Sequence, residues 1–450
     1  MSGTLGERLR TAPTPWRIRA FMYAVWGIAG TLVVIGGLML FEAWTAIKTV
    51  GKDTAPSIIY AQEISFSLAD LDANAGNYLL GSKQNQAAAL KTFEDRRTTV
   101  TARLVEAAKN ITEGDAERVP INALFDNLGR YLEMFAEMRY RKDNGDAGGA
   151  QGVYLNATEL MHVKMLPAAD ALDAVNFKSL EREYQAQQFR SEGAEVIAGF
   201  LAAALVGALV WAQLFLRRRT RRVFNVPLVV ATVVAASFGI YLVNTISVAR
   251  HDLKVAKEDA FDSIHALWQA DAIAYDANGD ETRYLLGGIR SGLFEQQYRE
   301  KVKKLTTLAQ ADDAMFARSQ VPLSYQGFFA VEMRNITFPG ERDAALKMIK
   351  NFAAYDKVDG KIRAAELAGR HADAVELCIG AGKDQSNATF DRFDAALREV
   401  IAINHKEFDA VVDTGMRALV VAGVLLPIAA LLVAALALVG LRRRLREYAA

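Results

Sequence analysis

ALVVAGVLLPIAALLVAALALVGL, residues 418–441, is a run of 24 residues with no charged side chain. A helix of this length extends about 36 Å at about 1.5 Å per residue, which exceeds the bilayer hydrocarbon thickness of about 30 Å. Three further runs have the same character, at 21–41, 196–216 and 226–246. The sequence therefore predicts four transmembrane helices. The first is interpreted as an uncleaved anchor because its apolar core is too long for a signal peptide.

The composition agrees with long helices and membrane segments. The 450 residues are 52% hydrophobic, and the 53 basic and 52 acidic residues almost cancel. The only cysteine, Cys378, excludes a disulfide within the chain and a multi-cysteine metal site, and is expected to be a small buried hydrophobe. Nine prolines are few for a sandwich built from many turns.

Arginines cluster near both ends of the chain and between the second and third runs. Those expected to contact anionic lipid or a cytoplasmic partner are Arg217, Arg218, Arg219, Arg221, Arg222, Arg442, Arg443 and Arg444. The positive-inside rule places these clusters and both termini in the cytoplasm of a multipass plasma-membrane protein, with two long net-acidic segments outside. Nucleic-acid binding is disfavoured because the clusters adjoin the spans.

These observations predict nine consecutive regions along the chain. They are a cytoplasmic N-terminus (1–20), the first span (21–41), an extracytoplasmic helical bundle (42–195), the second span (196–216), a basic cytoplasmic loop (217–225), the third span (226–246), a second extracytoplasmic bundle (247–417), the fourth span (418–441) and a basic cytoplasmic tail (442–450).

The two long segments share a motif. LDANAGNYLLG at 71–81 corresponds to YDANGDETRYLLG at 275–287, with the DAN and YLLG elements offset by 204 and 206 residues. The triplet NAT recurs as well, at 156–158 and 387–389. We interpret this as a tandem duplication of a span–outer domain–span unit, with some extra residues in the second copy around 321–342.

Within each long segment the apolar spacing is helical and strand-like alternation is hard to find. Glycine-rich or polar breakers fall at 81–83, 110–115 and 143–149 in the first segment, and at 287–288, 339–340 and 380–384 in the second. The predicted fold class is therefore an all-α membrane protein, with four transmembrane helices and two duplicated extracytoplasmic four-helix bundles.

The repeated motif supplies the candidate binding residues at the distal end of each bundle. They are Asp72, Asn74, Asn77 and Tyr78 in the first copy and Asp276, Asn278 and Tyr284 in the second. One interpretation is that they bind a ligand or a partner. The alternative is that the motif only closes the bundle tip, with Asp72 and Asn74 on a solvated face.

No motif for catalysis, a cofactor or a metal is found. The acidic run from Asp276 resembles the start of a calcium loop, but an EF-hand needs glycine at its sixth position and glutamate at its twelfth, where this chain has Glu281 and Gly287. The five histidines show no metal-ligand spacing. The spans also lack the ionisable groups typical of a transporter. We expect neither an enzyme nor a carrier.

The layout and the run LADLDANAGNYLLG at 68–81 resemble the GlnX-type membrane proteins of actinobacteria. The resemblance implies partnership with a GlnH-like solute-binding lipoprotein that recognises aspartate and glutamate, and with a PknG-like soluble Ser/Thr kinase. It implies a sensor that relays amino-acid availability from the first to the second. The family offers no catalytic motif to transfer.

Two other functions remain open. The chain could bind a small molecule directly between its helices, as chemoreceptor bundles do, or serve as a structural accessory subunit of a transporter or cell-envelope complex. A homodimer is possible in each case.

Overall fold

The computed structural model describes residues 13–220, 225–307 and 324–446. Of these described residues 92% are helical and none lies in a strand. Four helical stretches are long and apolar enough to cross a membrane, and they contain the four predicted runs. Large apolar side chains on them are about 70% exposed, for example those of Phe200, Trp211 and Leu431, as expected for surfaces that lipid would cover. The all-α prediction with four candidate spans is confirmed.

The chain divides into two compact units. The span unit comprises 13–50, 182–255 and 410–446 among the described residues, and the polar unit comprises 51–181 and 256–409. Each unit is described by itself.

The helices of the first half are α1 (Thr14–Lys48), α2 (Ala55–Leu80), α3 (Lys83–Lys109), α4 (Asp115–Asp143), α5 (Ala147–Leu160) and α6 (Leu166–Thr220). Those of the second half are α7 (Val226–Lys254), α8 (Asp262–Leu286), α9 (Ser291–Leu305), α10 (Phe328–Asn335), α11 (Glu341–Leu367), α12 (His371–Ile379) and α13 (Ser386–Arg446). Wider π-helical turns occupy Thr49–Thr54, Met161–Met165 and Val255–Phe261, and a short 3₁₀ turn occupies Gly288–Arg290.

Close backbone approach and a few polar contacts hold the span unit together. A Cβ atom added to Gly239 would lie 2.7 Å from the Cβ of Ala202, so only glycine fits this helix crossing. The indole of Trp26 donates to the carbonyl of Ala434 at 3.1 Å. Such bonds satisfy polar groups where no water is available in lipid.

In the polar unit, the start of each half is fixed by an asparagine side chain. The amide of Asn110 donates to the hydroxyl of Ser57 at 2.5 Å, at the start of α2. The amide of Asn335 donates to the hydroxyl of Ser263 at 2.8 Å and to the carbonyls of Glu258 and Asp259 at 3.1 Å, within the π-helical turn before α8. Because a π-helical turn shifts the usual hydrogen-bond ladder, a side-chain donor can stabilise it.

The long helices α2 and α8 pack against each other at the centre of the polar unit. A Cβ atom on Gly76 would lie 2.5 Å from the hydroxyl of Tyr154 and 2.6 Å from a methyl carbon of Thr282. The rings of Phe66 and Trp268 stack 5.4 Å apart across the same contact. The two halves therefore pack directly against each other.

The two halves differ in their number of helices. The predicted breakers coincide with the ends of α2, α3 and α4 in the first half and of α8, α10 and α12 in the second. The second half has two additional short helices, α10 and α12, beyond the four that the breakers predict. The extra residues predicted around 321–342 lie partly outside the described residues, and the described part contains α10.

Candidate functional site

The candidate residues from the repeated motif lie inside the polar unit. Side chains that are buried are those of Asp72, Asn77, Tyr78, Asp276, Asn278 and Tyr284, while Asn74 is half-buried. Asp72 is completely inaccessible, so the expectation that it lies on a solvated face is wrong, whereas closure of the bundle tip by the motif stays an alternative. A protein docked on the outside would not touch the buried side chains in this conformation. Their role in binding a ligand or partner stays a prediction.

Arg283 is the centre of a charged cluster that joins the two halves. Its guanidinium is fully buried and lies 2.9 Å from the carboxylate of Asp72 on α2. It also lies 3.0 Å from the carboxylate of Asp276 and forms a short ion pair with Asp280, both on its own helix. One cation thus bridges three buried carboxylates, one of which comes from the other half of the chain.

Further polar groups surround this cluster. The hydroxyls of Tyr131 and Thr158 donate to Asp72 at 2.7 and 2.5 Å. The ammonium of Lys301 lies 2.7 Å from Asp276 and 2.6 Å from Asp280. His162 of the first half contacts Asp276 at 2.8 Å. Buried charges normally require such partners, and this cluster supplies them from α2, α4, α5, α8, α9 and the π-helical turn at Met161–Met165.

The positive groups determine the ionisation of Asp276. Burial alone would raise the pKa of this carboxyl, but Lys301, His162 and Arg283 together hold it well below its usual value. Burial raises the pKa of the Tyr131 hydroxyl well above its usual value, and the neighbouring Asp72 adds to the effect. Asp276 is therefore a carboxylate, and Tyr131 a neutral hydrogen-bond donor, at neutral pH.

A polar cleft of about 340 Å³ opens beside this cluster, between α2 and α3 of the first half and α8 and α13 of the second. We call it the amide cleft. It is defined by Asn74, Asn77, Asn85, Asn278, Asn387 and Arg96. Three of these, Asn74, Asn77 and Asn278, belong to the predicted set. The structure therefore brings part of the predicted set together around a space that could hold a small molecule.

A second groove, of about 770 Å³, is lined by other faces of α2 and α8. We call it the histidine groove, defined by His162, Asp173, His265 and Lys301. His265 of the second half lies 3.0 Å from the carboxylate of Asp173 of the first. Its lining carries imidazole, ammonium and carboxylate groups together with the amides of Gln62 and Gln269, whereas the cation in the amide cleft is an arginine.

Sequence reasoning missed three cationic residues of this region, Arg96, Arg283 and Lys301. Arg283 lies within the repeated motif, three residues after Asp280, and that local pair was a readable signal for a helical ion pair. The pair of Arg283 with Asp72 in the other half has no such signal, because the two residues are distant in sequence.

The arginine clusters lie in the span unit or beside it in sequence. Arg217, Arg218, Arg442 and Arg443 are exposed, and Arg444 is half-exposed. Arg219 lies in α6, whereas Arg221 and Arg222 lie outside the described residues. Their contacts with lipid or a partner remain predictions. Among the described residues no group of three or more histidine, cysteine or acidic side chains could hold a metal ion.

One part of the chain matches a known protein family. Residues 46–185 match a family model described as an actinobacterial sensor domain. The match covers under a third of the chain and ends close to the bounds predicted for the first long segment. Searches of curated proteins and of solved structures gave no match. The sensor-domain match and the four candidate spans fit a membrane sensor.

Proposed function

We propose that this chain is a membrane sensor that relays amino-acid availability, aspartate and glutamate in particular, from an extracytoplasmic solute-binding lipoprotein to a cytoplasmic Ser/Thr kinase. The observation that carries the proposal is the sensor-domain match at 46–185, which lies between the predicted spans at 21–41 and 196–216. The resemblance to GlnX-type proteins supplies the two partners.

The organisation of the chain supports a relay. Helices α6 and α13 each contain residues of both compact units, so a displacement in the polar unit has a continuous backbone into a candidate span. The Arg283 cluster ties the two halves of the polar unit together, so that they would respond as one body. The lipoprotein would bind the polar unit, and the exposed arginines at 217–218 and 442–443 would present the change to the kinase.

Such a relay has a thermodynamic requirement. A docked lipoprotein shifts the equilibrium between two states of the sensor only if it binds one of them more tightly. Moving the population from 1:99 to 99:1 needs a difference of about 10⁴-fold in affinity, whereas a tenfold difference moves it only partway. The amino acid must therefore change the affinity of the lipoprotein for the sensor.

Crosslinking in intact cells tests the input step. A photoreactive amino acid is introduced one position at a time at Val119, Tyr140, Ile289 and Leu367, whose side chains are between 66% and 106% exposed in the polar unit. We expect an adduct with a lipoprotein at one or more positions, and its yield should change when aspartate or glutamate is supplied. The absence of a lipoprotein adduct at all four positions would contradict the relay.

Topology can be tested in the same cells. Because the only native cysteine, Cys378, is 2% exposed, single-cysteine variants need no cysteine-free background. A membrane-impermeant maleimide should label Ile289→Cys in intact cells and Arg443→Cys only after permeabilisation. The opposite labelling pattern would place the polar unit in the cytoplasm and exclude an extracytoplasmic input.

A further inference from the structure

We propose that the amide cleft binds one small zwitterion, an α-amino acid, directly and between the two halves of the polar unit. This inference needs neither the lipoprotein nor the kinase of the proposed relay. It rests on three features of the cleft: its charged side chains, its amide side chains, and walls that come from both halves of the chain.

The cleft presents opposite charges to the same small volume. Arg96 lines one wall, and Asp70 and Asp391 lie on the α2 and α13 walls. A zwitterion matches this pattern because its carboxylate and its ammonium find partners in a space of about 340 Å³. A dianion would face two carboxylates and one guanidinium. An uncharged polyol would bring no charge to pair with Arg96 or Asp391, and Arg96 would keep only its ion pair with Asp70.

Arg96 is held in position to receive a carboxylate. Its Nε donates to Asp70 at 2.5 Å, and its guanidinium lies 5.0 Å from the centre of the Phe66 ring. Its Nη2 is 3.5 Å from the hydroxyl of Tyr275, at the outer limit of a hydrogen bond. The fork of the guanidinium is thus oriented by its Nε edge and by aromatic faces, while its Nη groups can donate to a ligand.

The amides provide additional donors and acceptors. Asn77 is 8% exposed, and its carbonyl oxygen accepts from Thr282 at 2.7 Å. Asn77 is one of the residues that line the cleft, so its NH₂ group is a candidate donor to an anionic ligand group. Asn85 and Asn387 lie in the first turns of α3 and α13, where free backbone N–H groups and the helix dipole also favour a carboxylate.

The ligand would contact both halves of the chain at once. Arg96 and Asn85 come from the first half, and Asn387 and Asp391 come from the second. Binding would therefore favour the arrangement in which the two halves are close, since that arrangement alone brings all these groups together. The histidine groove also carries two amides, those of Gln62 and Gln269, but it lacks an arginine, and we do not expect it to take the same ligand.

Isothermal titration of the full chain in lipid nanodiscs, with no partner protein present, tests the inference. Each standard amino acid is titrated first. For any that binds, the carboxamide derivative, which lacks the carboxylate, and the N-acetyl derivative, which lacks the ammonium, are then compared. We expect binding of at least one amino acid and a loss of about 10-fold or more in affinity for both derivatives.

Variants locate the site. Arg96→Gln should weaken binding by about 10- to 100-fold, because a charge-assisted contact with the carboxylate is lost. The adjacent Arg97→Gln is the matched control, since Arg97 is exposed and pairs with Glu94 on the same helix. Asn387→Asp, at a half-buried position of the rim, should weaken binding by about 10-fold because the new carboxylate repels that of the ligand. This second variant keeps the binding proposal testable if Arg96→Gln fails to fold.

Several results would overturn the inference. They are the absence of heat for all amino acids, equal affinity of both derivatives, unchanged affinity in Asn387→Asp, or binding of glycerol or sugars that Asn387→Asp weakens equally. A negative titration leaves the lipoprotein crosslinks unaffected, and missing crosslinks leave the titration unaffected. The two proposals can therefore fail separately.

Discussion

Replacing Arg283 by methionine should strongly destabilise the polar unit. The substitution keeps an unbranched side chain of moderate length but removes the cation that lies between Asp72, Asp276 and Asp280. These carboxylates would stay buried with fewer partners. Removing one member of a buried ion pair typically costs about 3–5 kcal/mol, because the remaining charge has lost water and gains no replacement.

The expected loss can be measured with the full chain in detergent. Of the five tryptophans, Trp268 is the one in the polar unit, so its fluorescence reports on that unit after the other four are changed to phenylalanine. With a urea m value of about 3 kcal/mol/M, a loss of 3–5 kcal/mol lowers the unfolding midpoint by about 1–2 M. Arg299→Met is the control, because Arg299 is 69% exposed and its pair with Glu295 should contribute under about 1 kcal/mol.

The pH dependence of the unfolding midpoint is a second test, and the direction of the change follows from the pKa of Asp276. The pKa of Asp276 is depressed in the folded protein, so its contribution to stability is present above the unfolded pKa of about 3.9 and disappears as the pH falls below that value. Arg283→Met removes one of the cations that depress it. The difference in urea unfolding midpoint between the wild type and Arg283→Met should therefore become smaller below pH 4. Equal midpoints of Arg283→Met and Arg299→Met at neutral pH would refute the assignment of Arg283 as the centre of the cluster.

Three further predictions concern the polar unit. Burial, with a contribution from nearby Glu341, raises the pKa of Glu332 to about 8. The wild type should therefore lose stability as the pH rises from about 4.3 to about 8, and Glu332→Gln should remove this fall of the urea midpoint with pH. Asn335→Ala should cost about 1–3 kcal/mol by removing three hydrogen bonds, whereas Asn351→Ala, at an exposed site with one bond, should cost about 0.5 kcal/mol in the same assay. Gly76→Ala should lower the free energy of unfolding by about 1–3 kcal/mol through overpacking. Gly129→Ala, where a Cβ meets nothing within 4 Å, should instead raise it by about 0.5–1 kcal/mol.

The helical class and the spans could be predicted because their physics is local. A continuous apolar run must be helical in lipid, so 418–441 and its three counterparts were sufficient to predict the span unit. The ends of α2 and α8 were also readable, because Gly81 and Gly287 follow the last apolar residues of each helix. The breakers at 339–340 and 380–384 mark where the short helices α10 and α12 end, but no predicted breaker separates α10 from α9 or α12 from α11, so the sequence did not predict them as separate helices.

The candidate site was predicted only in part, because its interactions connect distant residues. An aspartate is normally exposed, and the sequence around Asp72 shows no partner that would allow its burial. Its burial depends on Arg283, which is 211 residues away, and on two hydroxyl donors from α4 and α5. The amide cleft has the same origin, since Asn85 and Asn387 approach each other only after both halves have folded together.

The pairing of Asp72 with Arg283 also sets an order of events during synthesis. At about 5–20 residues per second, the ribosome needs about 10–40 s to add the 211 residues that separate the two partners. During that interval the nascent first half contains an acidic group that has not yet met its arginine. Completion of its core must therefore await the second half, and a truncated product ending before Arg283 would be a natural substrate for quality-control proteases.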